Sequence, residues 1–191
     1  MPTVVVARYR ESVDWLGGLP AGWKAVVYDK SGDNPPLSAD WIPRPNIGLE
    51  AETFAYHNLT REPDDYTVFL QGRPHDHCAT PFESAQQFIS EGVRIGWLGH
   101  AYYTGHNDAN WSPDTLGLWN LWPLLFPDRP IPEERQLTFC AGAQLVVRRD
   151  AIEAWPRDWW QRTWEASNTA DYRLAHCFER LWSEIYKEPG A

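Results

Sequence analysis

Cysteine is scarce in this chain. Cys78, Cys140 and Cys177 are odd in number and form no Cys-x-x-Cys pair, which argues against a disulfide scaffold and against structural zinc. No apolar run approaches the ~18 residues that span a bilayer. The opening Met-Pro-Thr-Val-Val-Val-Ala-Arg lacks the basic-then-apolar order of a secretory signal. Neither Gly-x-Gly-x-x-Gly nor Gly-x-x-x-x-Gly-Lys-Ser/Thr occurs, so a classical dinucleotide fold and a P-loop are not indicated. Basic residues are outnumbered, with 17 Lys and Arg against 26 Asp and Glu for a net charge of −9. That balance removes any general pull toward nucleic acid or anionic membrane and leaves open only a local basic groove. There is no internal repeat and no low-complexity tract. Together these absences predict a soluble protein with no membrane span in a reducing, cytoplasmic setting.

The 191 residues suit one domain. Apolar residues at 43% and charged residues at 23% are enough for an ordinary core. Tryptophan is abundant at 12, mostly from Trp97 onward, which suits a packed core or a stacking surface. Short β-branched runs, TVVVA at Thr3–Ala7, KAVVY at Lys24–Tyr28 and YTVFL at Tyr66–Leu70, read as strands buried on both faces. Between them, Glu11–Leu16 and Leu49–Leu59 have helical character, and Asp29–Asn46 is rich in loop formers. Further helices are expected over Pro81–Glu91, Leu116–Leu125, Asp150–Trp155, Pro156–Trp164 and Tyr172–Tyr186, with a strand within Leu137–Val147, most clearly at Ala143–Val147. The order β-α-β-α-β predicts a single α/β domain with a mostly parallel central sheet and helices on both faces. Ligands of open α/β sheets bind where the strands end, so the residues after each strand are the candidates.

After the first strand come Arg8, Tyr9 and Glu11. Arg8 can fork onto a phosphate, or the segment is a solvated helix start. Asp29 follows the second strand as a hydrogen-bond acceptor for a ribose or base, or as a turn residue. Gly48 and Glu50 open the helix at Leu49, where a glycine permits close backbone approach to an anion. Gln71, Arg73, His75, Asp76 and His77 follow the third strand. His75, Asp76 and His77 offer divalent-ion ligands, although alternation in extended chain points Asp76 away from both histidines. Gln144, in Cys140–Gln144, can orient a sugar hydroxyl, or the segment is tight packing. Glu179 shares a helix face with His176 and is a candidate general base, or an ordinary ion-pair member. A Cys140–His176 nucleophile pair has no supporting spacing. Trp111, with Trp97, Trp119, Trp122, Trp155, Trp159, Trp160 and Trp164, can line an acceptor site, although most tryptophans belong to a core.

The segments VVVARYRESVDWL, WKAVVYDKSG, NIGLEAETFAYHNL, DDYTVFLQGRPHDH, FCAGAQLVVRRDAI and FERLWSEIY together resemble a domain family of bacteria and fungi of unknown function. Gly92–Glu134 matches it least. That family in turn resembles the GT-A type of glycosyltransferase, a Rossmann-related fold. The resemblance implies a nucleotide-binding half over residues 1–80 and an acceptor half over 81–191. It implies a nucleotide site at Ala7, Arg8, Tyr9, Glu11, Asp29, Gly48, Glu50 and Arg73. The place of the family's Asp-x-Asp motif is filled by Gln71–His77. The paired aspartates are absent, so Asp76 with His75 or His77 would hold Mn or Mg. Gln71, Gln144 and Trp111 would face sugar or acceptor, with Glu179 and Asp76 catalytic. The implied donor is a UDP- or GDP-sugar, and the acceptor a glycan, small molecule, protein or modified DNA base. Two other readings remain open: a metal-dependent phosphoester hydrolase built on His75–His77, and a non-catalytic nucleotide- or sugar-binding module.

Overall fold

The computed structural model describes residues 1–32, 40–103 and 112–187. The elements run β1 (Thr3–Arg8), β2 (Lys24–Asp29), β3 (Asp40–Pro43), α1 (Leu49–Thr60), β4 (Tyr66–Gln71), α2 (Pro81–Ser90), β5 (Ile95–Trp97), β6 (Ala101–Tyr103), α3 (Pro113–Leu116), α4 (Leu118–Leu125), β7 (Thr138–Cys140), β8 (Leu145–Arg148), α5 (Arg149–Glu153), α6 (Arg157–Ser167) and α7 (Tyr172–Tyr186). Short 3₁₀ turns at Asp14–Gly18, Pro74–Asp76 and Ala141–Ala143 link them.

A six-stranded sheet has the order β3-β2-β1-β4-β8-β5. β1 pairs in parallel with β2 and β4, and β2 in parallel with β3. β8 runs antiparallel to both β4 and β5. A separate antiparallel pair joins β6 and β7. The architecture is therefore α/β with a mostly parallel sheet, as the strand runs predict. The chain steps outward from β1 to β3, then returns to place β4 on β1's other side. β1 and β4 thus flank a topological switch point, the position at which open α/β sheets leave a crevice.

Side chains alternate across the sheet, so one strand feeds two cores. Val5, Tyr28, Phe69, Leu145 and Val147 join the cluster under α1, α4, α6 and α7. Val4, Val6, Val27, Val68, Leu70 and Val146 pack on the other face, against Val13, Trp15, Phe82 and Phe88. Helices do cover both faces. The described late tryptophans belong to the first core. Trp155 and Trp159 stack at 4.2 Å, and Trp159 and Trp160 each donate an indole N–H to a helix carbonyl, of Leu125 and Ile152. Such bonds let a large ring be buried without stranding its donor.

Three local expectations differ. The helix placed at Glu11–Leu16 is the 3₁₀ turn Asp14–Gly18, because two glycines end it within one turn. The loop at Asp29–Asn46 contains β3, an edge strand that ends on Pro43 and so spends no ladder donor. The strand placed at Ala143 begins at Leu145, since Gly142 (φ 77°) and Ala143 (φ 52°) turn the backbone first.

Gly48 sits at φ +65°, and a Cβ there would stand 2.1 Å from the Ser167 carbonyl oxygen. Gly48→Ala therefore combines strain with a backbone clash and should cost about 1–3 kcal/mol or more, read as a Tm several degrees lower. His57 is buried against the Tyr28 hydroxyl at 3.0 Å, and burial drives its imidazole down to about 3. Its contribution to stability is present above the unfolded value of about 6.5 and is lost as pH falls from there toward the folded value. His57→Gln should flatten that part of the stability–pH curve, measured by urea unfolding at successive pH values.

Candidate functional site

A cleft of about 310 Å³ opens at the switch point, lined from β1 by Ala7, Arg8, Tyr9 and Glu11, from β2 by Lys30, and from the approach to α1 by Asn46, Leu49 and Glu50. Gln71, Gly72, Arg73 and Asp76 line it from β4. Its size is at the small end of ligand pockets. Of the residues nominated from sequence, Arg8, Tyr9, Glu11, Glu50, Gln71, Arg73 and Asp76 converge here.

They divide into committed and uncommitted groups. Arg8 is buried. It donates to Asp29 Oδ1 at 2.6 Å, to Ser31 Oγ at 2.8 Å and to the Glu11 carbonyl at 2.8 Å. Asp29 lies beneath the cleft as Arg8's partner. Burial raises its carboxyl, and the Ser31 and Arg8 bonds more than reverse that, holding it below the usual carboxylate range. Glu11 folds back to accept the Tyr9 and Arg10 backbone N–H groups at 2.7 and 3.1 Å. It crosses Gly72 so closely that a Cβ there would meet its Oε2 at 2.6 Å.

Lys30 is buried too, and its ammonium donates to the carbonyls of Ile47 and Leu49 and to Glu52 Oε2. Glu52 is fully buried and also accepts from Arg44 and, at 2.9 Å, from the Trp164 indole. Burial alone would raise the Glu52 carboxyl, but Arg44, Lys30 and Trp164 together hold it low. Lys30 and Glu52 are the site-building residues that sequence reading does not assign, because a buried lysine whose partner is 22 residues away leaves no local signature.

Glu50, Gln71, Arg73 and Asp76 face the cleft differently. Among the described residues, none has a side-chain hydrogen bond or ion pair to another residue. Glu50 is half-buried, and that burial lifts its carboxyl to about 7, opposed by its own backbone N–H and by His176 and Lys30 and aided by the negative charge of Glu179. Groups with displaced proton affinity in a cleft are candidates for chemistry.

The proposed metal trio does not gather. Pro74–Asp76 is a 3₁₀ turn, which splays consecutive side chains. His75 lies edge-on to Trp15 with centroids at 6.3 Å, His77 covers Gly142, and Asp76 faces the cleft. Among the described residues, no three His, Cys, Asp or Glu side chains are grouped to hold a metal ion. His75, Asp76 and His77 thus point in three directions, and only Asp76 lines the cleft.

Other nominated residues lie off the cleft. Gly48 supplies the left-handed turn before α1. Gln144 is fully buried and donates to the Pro74 carbonyl at 3.1 Å, bracing the β4 loop. Glu179 accepts the Gly142 N–H at 2.6 Å, and its other oxygen stands 3.3 Å from Arg180 and 3.7 Å from His176. Trp111 lies outside the described residues, and no other tryptophan lines the cleft. Burial pushes the Cys140 thiol up to about 11, which makes it a poor nucleophile.

No protein-family model, curated protein or solved structure matches this chain. Among the described residues no helix is long and apolar enough to cross a membrane.

Glu52→Gln leaves Lys30 and Arg44 short of a buried counter-charge, so it should cost about 3–5 kcal/mol, read from the urea midpoint. The depressed carboxyls of Glu52 and Asp29 contribute stability above their unfolded values near about 4, which is lost as pH falls through the folded values. Glu52→Gln should shrink that acid-dependent loss.

Proposed function

We propose that the cleft binds a nucleotide-sugar and that the protein transfers its sugar to a hydroxyl acceptor, in the manner of a GT-A-like, Rossmann-related glycosyltransferase. The observation behind this reading is the convergence, at the switch point beside β1 and β4, of polar side chains from α1 and the end of β4 that have no side-chain partner among the described residues. Crevices at such points suit nucleotides. The strand ends of β1 and β2 make a stiff floor of paired charges, Arg8 with Asp29, and Lys30 with the Glu52 carboxylate that it shares with Arg44.

In this reading Gln71 and Asp76 hold sugar hydroxyls, and Tyr9 and Leu49 offer exposed apolar surface at the mouth. The acceptor oxygen bonds to the anomeric carbon as the bond to the diphosphate oxygen breaks. Negative charge then grows on the leaving oxygen, where Arg73 can meet it. No step is assigned to a metal, because His75, Asp76 and His77 are not gathered around one point. The hydrolase reading would need those side chains brought together. A glycan, small molecule, protein or modified DNA base remains the proposed class of acceptor.

Thermal shift with UDP, GDP and their sugars, with and without manganese, tests the reading. A nucleotide at 100 times its Kd should add about 2.7 kcal/mol. Absence of any shift with every nucleotide and nucleotide-sugar would end the proposal, and binding without sugar release or transfer would leave a binding module. Arg73→Ala should weaken nucleoside diphosphate by about 1.5–3 kcal/mol, the worth of a charged hydrogen bond. Asp76→Ala should abolish transfer and leave Tm nearly unchanged, since its exposed side chain packs on little.

A further inference from the structure

The negative charge of Glu179 on α7 acts on Glu50 on α1, and the surroundings of the two acids differ. Both Glu179 oxygens are engaged, Oε1 by the Gly142 N–H at 2.6 Å and Oε2 beside Arg180 at 3.3 Å and His176 at 3.7 Å. Its side chain is only 15% exposed and does not line the cleft. Glu50 lines the cleft and has no hydrogen bond or ion pair to another side chain among the described residues. A general base must be within reach of the proton it takes.

The backbone aims Glu50 there. Gly48 and Leu49 both hold positive φ, 65° and 47°. Lys30 clamps this turn through the carbonyls on either side of Gly48, at 2.6 Å for Ile47 and 2.7 Å for Leu49. Left-handed geometry is strained for leucine and persists only where surrounding bonds over-determine it. The strained turn starts α1 so that its second residue, Glu50, stands in the cleft wall.

We propose that Glu50, not Glu179, removes the proton from the attacking hydroxyl, with Glu179 acting as a positioning residue for His176, Arg180 and the Gly142 turn. This rests on the sugar-transfer reading above. The acceptor O–H bond breaks as its oxygen bonds to the anomeric carbon, and the proton passes to a Glu50 carboxylate oxygen. The electron pair of the old glycosidic bond leaves with the nucleoside diphosphate. A near-neutral carboxyl suits this exchange, being partly ionised before transfer and able to keep the proton afterwards. The charged or titratable groups around Glu50 are Glu179 and His176 from α7, Lys30 just after β2, Arg8 at the end of β1, Tyr9 and Glu11 after it, and Arg73 and Asp76 after β4.

The test has two arms on the full chain. In the first, the glutamate side-chain carboxyls are followed by carbon NMR across pH 4–9, with Glu50→Gln identifying the signal. One carboxyl should titrate near neutrality and vanish in that variant. A Glu50 that titrates in the ordinary range near about 4.3 overturns the proposal, whatever ligand the cleft takes. In the second, UDP-sugar and GDP-sugar turnover and UDP and GDP thermal shifts are compared among wild type, Glu50→Gln and Glu179→Gln. Glu50→Gln should keep the nucleotide shift and lose about 10²–10⁴-fold in turnover. Wild-type turnover should rise with pH through neutrality as Glu50 ionises, and Glu179→Gln should move that limb to lower pH. A Glu50→Gln chain that turns over at the wild-type rate overturns the proposal and leaves the transfer reading standing. If no nucleotide shifts the wild type, the transfer reading and the assignment of Glu50 as its base both fall.

Discussion

The fully buried carboxylate of Glu52 is the constraint from which the cleft follows. A lone charge in that position would be strongly unfavourable. Here Lys30, Arg44 and the Trp164 indole all donate to it. Those donors come from the end of β2, from the segment after β3 and from α6, so a single side chain on α1 fastens three other parts of the fold. Arg44 is held further by the Tyr56 ring, its guanidinium carbon 3.6 Å from the ring centroid. Removing one partner would leave the others buried and uncompensated, which makes the network act as a unit.

The same ammonium that neutralises Glu52 also fixes the turn at Ile47–Leu49, and this links core electrostatics to cleft geometry. Arg8 plays the matching part on the other wall, joining Asp29, Ser31 and the Glu11 carbonyl. Cations and acids that look functional in the chain are thus largely consumed in building the walls. Among the described residues, polar capacity is left on Glu50, Gln71, Arg73 and Asp76. Groups held rigidly by such surroundings can act on a ligand without first reorganising.

Much of the architecture was legible from local pattern. The β-branched runs at Thr3, Lys24 and Tyr66 are strands in the expected places, and the helix expected at Tyr172–Tyr186 is found with those bounds. Both signals come from periodicity and burial within a few residues. The direction of β8 was not legible, because an apolar strand pattern is the same in either sense. β3, β5 and β6 were missed, being only three or four residues long and set among turn formers. Tryptophans such as Trp155, Trp159 and Trp160 read equally as stacking surface or core, and only their mutual contacts decide for core.

The sequence by itself determined that the N-terminal strands end at one edge and that charged residues follow each of them, because strand order and loop position are written in neighbouring residues. Tertiary structure alone decided what each charge does. Arg8 meets Asp29 across 21 residues, Glu179 meets Gly142 across 37, and Trp164 meets Glu52 across 112. A charge is spent or left available according to which partners the fold brings to it, and chain order does not encode those distances.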